Sequence, residues 1–182
     1  TLTLTGTGNT WSGSFSTWTG DGTVVVASGA ALTLSGTGGG NVFGGRTLQI
    51  DAGGDVTVSG RIELDAGTNA IVNAGTLTLS GTEMTHLYSS VGTLALTNSG
   101  TLVKAGAGTF QVGSGSGGSV TLANSGTVDV QSGVLNYASG TGSSTGTFSV
   151  AAGATYQTGG ATMVFEAGSV LTAAGTVSIT SG

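Results

Sequence analysis

The chain has no cysteine and no proline, charge on only 6% of its residues, and one histidine, His86. Each scarcity removes a class of function. The lack of cysteine fits a protein exposed to changing redox conditions, and with one histidine neither a zinc site nor a Ser-His-Asp set is built. Glycine is abundant, at 37 residues, but without proline or a strict period of three it does not make collagen. The only cations are Arg46, Arg61 and Lys104, and the net charge is −5. A nucleic-acid binder needs a basic stripe against the phosphates, and an anionic membrane surface attracts basic segments; neither partner fits. No apolar run is long enough to span a bilayer. No long stripe of period 3.6 marks a helix, and the apolar runs are rich in β-branched residues.

What is present is order without charge. Mean hydropathy is +0.33, whereas disorder goes with low hydrophobicity and high net charge. From Thr76 to Tyr137 the chain reads as short strands of alternating apolar residues, most closed by a Gly-containing turn. Strand starts at Thr93, Thr101, Thr109, Ser119 and Thr127 step by 8, 8, 10 and 8 residues. Three steps make a longer repeat, marked by Asn73, Asn98 and Asn124 at intervals of 25 and 26. A repeat of that length means stacked units. Three strands per repeat, with turns too short for a helix, predict an all-β fold: a right-handed parallel β-helix (β-solenoid) of triangular section and about seven coils. Inward positions such as Leu77, Leu79, Leu94, Leu96, Val128 and Val130 are expected to stack into apolar columns.

No linker or composition break divides the chain, so residues 1–182 read as a single β-solenoid domain. Residues 1–46 are its less regular, aromatic-containing first part, and 47–182 carry the regular beat. The chain opens with Thr and shows no signal-peptide pattern, which leads us to expect a mature or excised part of something larger. Its two ends, SITSG and TLTLTG, join as an ordinary strand–turn–strand step. Neither carries a capping helix or charged strand, so tandem copies or end-to-end stacking are expected.

Several groups invite a chemical reading. Asp51, Asp55, Glu63 and Asp65 form the one acidic cluster, with Asp51 and Asp65 in the same turn slot (QIDAG, ELDAG). They are weak candidates for a structural cation or for the facing carboxylates of a glycosidase; a solvated rim is the favoured reading, and no metal, cofactor or catalytic residue is expected. Met84, His86 and Tyr88 share one face by alternation, as a contact patch if outward and as core if inward. Asn73, Asn98 and Asn124 read as an internal ladder whose stacked amides satisfy turn backbone at one corner. Trp11, Phe15 and Trp18 either grip a sugar by stacking or plug a gap in the coil, and the plug is favoured. Thr-x-Thr raises ice binding, but the outward positions taken as equivalent are Gln49, Glu63, Ala95, Val103, Gln111 and Asp129. That is no threonine plane, and ice binding ranks low.

The segments NSGTLVKAGAGTFQV, NSGTVDVQSGVLNY and GTFSVAAGATY resemble the glycine-rich β-strand repeats of large bacterial surface and secreted proteins, including autotransporter passengers and filamentous-haemagglutinin-like adhesins. The likeness is strongest from Gly75 to Ile179. It implies an extracellular or cell-surface fibre, adhesin stalk or matrix element, without catalytic residues. No membrane-barrel domain or secretion module accompanies it. The expectation is a non-catalytic structural protein whose partner is itself, with glycans or the cell surface as further partners and no membrane insertion. The alternative is a carbohydrate-binding or polysaccharide-cleaving β-helix using the Asp51–Asp65 rim or the Trp11–Trp18 group.

Overall fold

The computed structural model describes residues 1–36, 40–65, 67–86, 92–113 and 119–180. Every strand pairing is parallel, and the pairs join strands three apart in order along the chain. Sheet A holds β1 (Leu2–Leu4), β4 (Thr23–Val26), β7 (Thr47–Ile50), β10 (Gly67–Asn73), β13 (Gly92–Asn98), β16 (Ser119–Asn124), β19 (Thr141–Ser144) and β22 (Thr162–Phe165). Sheet B holds β2 (Asn9–Ser12), β5 (Ala31–Ser35), β8 (Asp55–Val58), β11 (Thr76–Leu79), β14 (Thr101–Lys104), β17 (Thr127–Val130), β20 (Thr147–Val150) and β23 (Val170–Ala173). Sheet C holds β3 (Ser16–Thr19), β6 (Asn41–Gly44), β9 (Arg61–Leu64), β12 (Glu83–His86), β15 (Thr109–Val112), β18 (Val134–Tyr137), β21 (Thr155–Thr158) and β24 (Thr176–Ile179). The chain therefore winds a three-sided β-solenoid, three strands to a coil, making about seven turns from β1 to β22. No helix occurs among the described residues. The irregular first 46 residues supply strands to the same three sheets.

Alternation builds the core. One side of each strand faces inward, and register stacks those residues: Val24, Leu48, Ile71, Leu96 and Leu122 form one column of sheet A, all buried. That column then reaches Gly142. A β-carbon there would meet Met163 Sδ at 2.5 Å and the Tyr137 ring at 3.2 Å. The Tyr137 side chain crosses from sheet C, and its hydroxyl donates between the carbonyls of Val120 (2.7 Å) and Thr141 (2.5 Å). One large side chain from the opposite wall thus replaces a missing one, and TGSS remains a strand although it offers no apolar residue.

Corner length decides what sits at the end of the next inward column of sheet A, which runs Leu4, Val26, Ile50, Asn73, Asn98, Asn124, Ser144, Phe165. Val26, Ile50 and Phe165 each precede a four-residue corner. Such a corner closes on itself: Ala30 N–H donates to Ala27 O (2.9 Å), Gly54 to Asp51 (2.8 Å) and Ser169 to Glu166 (3.1 Å). Asn73, Asn98, Asn124 and Ser144 precede two-residue corners, too short for that bond. A polar side chain then supplies the missing partner.

Candidate functional site

The candidate groups fall into four places, three of them singled out by the sequence. The first is the tight corner between sheets A and B. Asn73 Nδ2 donates to Asn98 Oδ1 at 2.7 Å and to Thr101 O at 2.9 Å. Asn98 Nδ2 donates to Asn124 Oδ1 at 2.7 Å and to Thr127 O at 3.0 Å. Asn124 Nδ2 passes the chain to Ser144 Oγ at 2.9 Å. All four side chains are buried. The column binds backbone and itself, which is structural chemistry.

The second is the aromatic group of the first coil. Trp11 and Trp18 stack with ring centres 4.1 Å apart and planes 13° from parallel. Both lean on Phe43 of the next coil, at 5.9 and 6.0 Å. Trp11 is buried and Trp18 half-buried, so the pair fills the interior where the first coil begins. Phe15 does not join it. It is 61% exposed, adopts a left-handed φ of 53° that a bulky residue rarely takes, and its N–H donates to Gly40 O at 2.9 Å.

The third is the acidic cluster, which the topology takes apart. Asp51 follows β7 at the corner between sheets A and B, and Asp65 follows β9 at the corner between sheets C and A. Their shared sequence slot does not place them on one corner, because 14 residues are not a whole coil. Asp55 begins β8 and is exposed. Glu63, outward by alternation, is nonetheless buried and lies 3.0 Å from the Arg61 guanidinium. Asp51 accepts from Gln49 Nε2 at 2.7 Å. No group of three His, Asp or Glu side chains converges among the described residues. Met84 and His86 pair in register with Ile62 and Leu64, and Tyr88 lies outside the described residues.

The fourth place is Lys104, which a reading of net charge alone passes over. TLVK alternates, so Lys104 falls in the inward column between Leu79 and Val130. It is fully buried. Its ammonium donates to the carbonyls of Ala105 (2.7 Å), Gly106 (2.7 Å) and Ser132 (3.1 Å), and burial lowers its pKa from the ordinary 10.5. The folded chain then binds fewer protons than the unfolded chain in the window below 10.5, so stability rises with pH through that window. Burial also raises the pKa of Tyr137 and of Tyr156, which reverses the slope above about pH 10. Lys104→Met, which orphans three carbonyls but removes a desolvated charge, is expected to cost about 1–3 kcal/mol at neutral pH. Denaturant melts in the window just below pH 10.5 should show a rise in the wild type that the variant lacks.

Asn41 and Asn69 are further buried amides that the sequence reading missed. Asn41 Oδ1 accepts from Gly36 N–H (2.7 Å), and Asn69 Oδ1 from Gly45 N–H (2.9 Å). Their inward parity beside Phe43 and Ile71 was the available signal. Two concavities among the described residues offer no converging catalytic groups either. One is an apolar void of about 20 Å³ inside the core between Leu102, Val128 and Tyr156, and the other a shallow groove of about 160 Å³ beside Thr97, Ala123 and Ser143.

Register also sorts the six residues taken as one outward position. Gln49 and Ala95 stand on sheet A, Val103 and Asp129 on sheet B, Glu63 and Gln111 on sheet C. They belong to three different faces, and each face therefore carries outward residues other than threonine, so none is a uniform threonine plane. Comparison of the chain with family models, with curated proteins and with solved structures returns no match.

Proposed function

We propose that the chain is a non-catalytic structural element that stacks along its solenoid axis within an extracellular fibre, adhesin stalk or surface layer. The observation that carries this reading is the last coil. Leu171 is 43% exposed and Ile179 63% exposed, and strands β22, β23 and β24 each pair on one side only. Apolar side chains beside an unpaired parallel edge are the surface on which one more coil docks, whether that coil belongs to the same polypeptide or to another copy. The resemblance of the repeats to large bacterial surface proteins supports a cell-surface setting, and the buried Asn73, Asn98 and Lys104 bond to backbone of the frame. The alternative, a carbohydrate-binding or polysaccharide-cleaving β-helix, has less in its favour. Its two best carboxylates stand on different corners, and its Trp11 ring is buried.

The purified chain is expected to form rods of constant width that lengthen with protein concentration, visible by negative-stain microscopy and sedimentation. Leu171→Lys with Ile179→Lys should hold it at the single-solenoid size while leaving the β-rich circular dichroism intact. Wild-type protein that sediments as a monomer at every concentration, with no further coil encoded beside it in the same polypeptide, would refute axial stacking.

A further inference from the structure

The corner between sheets A and B changes length along the stack. Four residues follow Leu4, Val26 and Ile50, two follow Asn73, Asn98, Asn124 and Ser144, and four follow Phe165. The last coil therefore leaves the tight corner of its neighbours and returns to the corner of the first coil. The residue that ends the column returns with it, from amide and hydroxyl to the apolar Phe165, as Leu4 is apolar at the other end. In sheet B one inward column begins at Trp11 and ends at Ala173, large at one edge and small at the other. In sheet A, Leu2, 53% exposed at the first edge, shares its column with half-buried Met163 at the last. None of the six strands of the first and last coils holds Asp, Glu, Lys or Arg, although charge is a usual means of blocking an open edge.

We infer that the coil docking on the last edge is the first coil of a second copy of this chain, head to tail and in phase, so that β22 pairs with β1 and β23 with β2. This rests on the axial stacking proposed above and names its partner, polarity and register. Continuing the columns sets Met163 on Leu2, Phe165 on Leu4 and Ala173 on Trp11. Small against large fills a layer without overlap. Leu171 covers Asn9, whose Nδ2 already bonds to Gly6 O and Ala31 O within its own chain. Four-residue corners then lie on one another, as they do after Val26 and Ile50, where Gly29 N–H donates to Gly53 O at 2.8 Å. Tail-to-tail docking would set the edge strands antiparallel, whereas the pairings at both ends of the stack are parallel. A head-to-tail contact along a straight axis repeats without closing and so extends into a filament.

The chain has no cysteine, so introduced disulfides report the register. Exposed Thr3 and Val164 share one outward row of sheet A. In-phase docking brings them onto neighbouring strands about 4.8 Å apart, within the Cα separation of a disulfide. The variant with Thr3→Cys and Val164→Cys should oxidise to a ladder of covalent dimers, trimers and longer chains. An equimolar mixture of the two single variants should give the mixed dimer alone. Thr10→Cys with Thr172→Cys, exposed on one row of sheet B, should give the same ladder and serves if the first variant folds poorly. Thr17→Cys with Val164→Cys, on different sheets, should give none. Wild-type rods without either ladder, or a disulfide joining two Val164→Cys chains, overturn the head-to-tail register and leave axial stacking standing. A wild-type chain that forms no rods at any concentration overturns the inference at its foundation, since no second copy then docks.

Discussion

Asn98→Ala is expected to destabilise the solenoid by about 3–5 kcal/mol, because several buried polar groups lose their partner at once and each costs about 1–3 kcal/mol. Asn98 accepts from Asn73 Nδ2 and donates to Asn124 Oδ1, both at 2.7 Å, and also donates to Thr127 O at 3.0 Å. Alanine takes the donor from Asn124 Oδ1 and removes one bond each from Thr127 O and from Asn73 Nδ2, which keeps only Thr101 O. For a chain of this size about 1 kcal/mol moves the midpoint by about 2–4 °C, so the melting temperature should fall by roughly 6–20 °C. Asn98→Asp separates hydrogen bonding from volume. A carboxylate accepts from Asn73 but cannot donate to Asn124 or Thr127. Burial and the facing oxygens should raise its pKa above the unfolded value, so the folded chain would bind more protons than the unfolded one. The variant should then be most stable at low pH and lose stability as pH rises through the raised value. A variant that melts like the wild type at every pH would show that the column carries no stability.

Gly100→Ala is expected to cost about 3 kcal/mol or more, as a severe case of overpacking against backbone. A β-carbon at Gly100 would meet Gly75 O at 2.2 Å, one at Gly126 would meet Gly100 O at 2.2 Å, and one at Gly146 would meet Gly126 O at 2.1 Å. These glycines are not at positive φ; what they need is closeness. Each two-residue corner lies directly on the corner of the preceding coil, where Ser99 and Gly100 N–H both donate to Asn73 O at 2.8 and 3.0 Å. A methyl group there separates two coils along their hydrogen-bonding direction, and stacked coils gain stability only from their neighbours. Gly108→Ala is the control, because its β-carbon would meet nothing within 4 Å. Equal melting temperatures for the two variants would show that the corners are not in contact.

The repeat N-x-G-T was legible because one short motif meets two demands at one corner, an amide for the orphaned carbonyls and a missing side chain for the coil next to it. Strand identity was legible too, because alternation and glycine turns are local properties. Lys104, Asn41 and Asn69 could have been read from parity alone, since each holds an inward slot. Residue type pointed the other way, because a lysine is expected in water until the carbonyls of Ala105, Gly106 and Ser132 are seen around it.

The sequence by itself determined the rhythm: short parallel strands, three to a coil, with an apolar inside and tight corners marked by asparagine and glycine. Only the tertiary structure decided which residues share a face. Coil length varies, as the ladder spacings of 25, 26 and 20 residues show, so equal spacing in sequence does not mean an equal place on the solenoid. Register put Asp51 and Asp65 on different corners, since 14 residues are not a whole coil, and set Phe43 beside Trp18. It also sorted onto three sheets the outward residues that the linear sequence had mixed. Neighbours across coils are chosen by backbone hydrogen bonding between strands, and that register is a property of the stack as a whole.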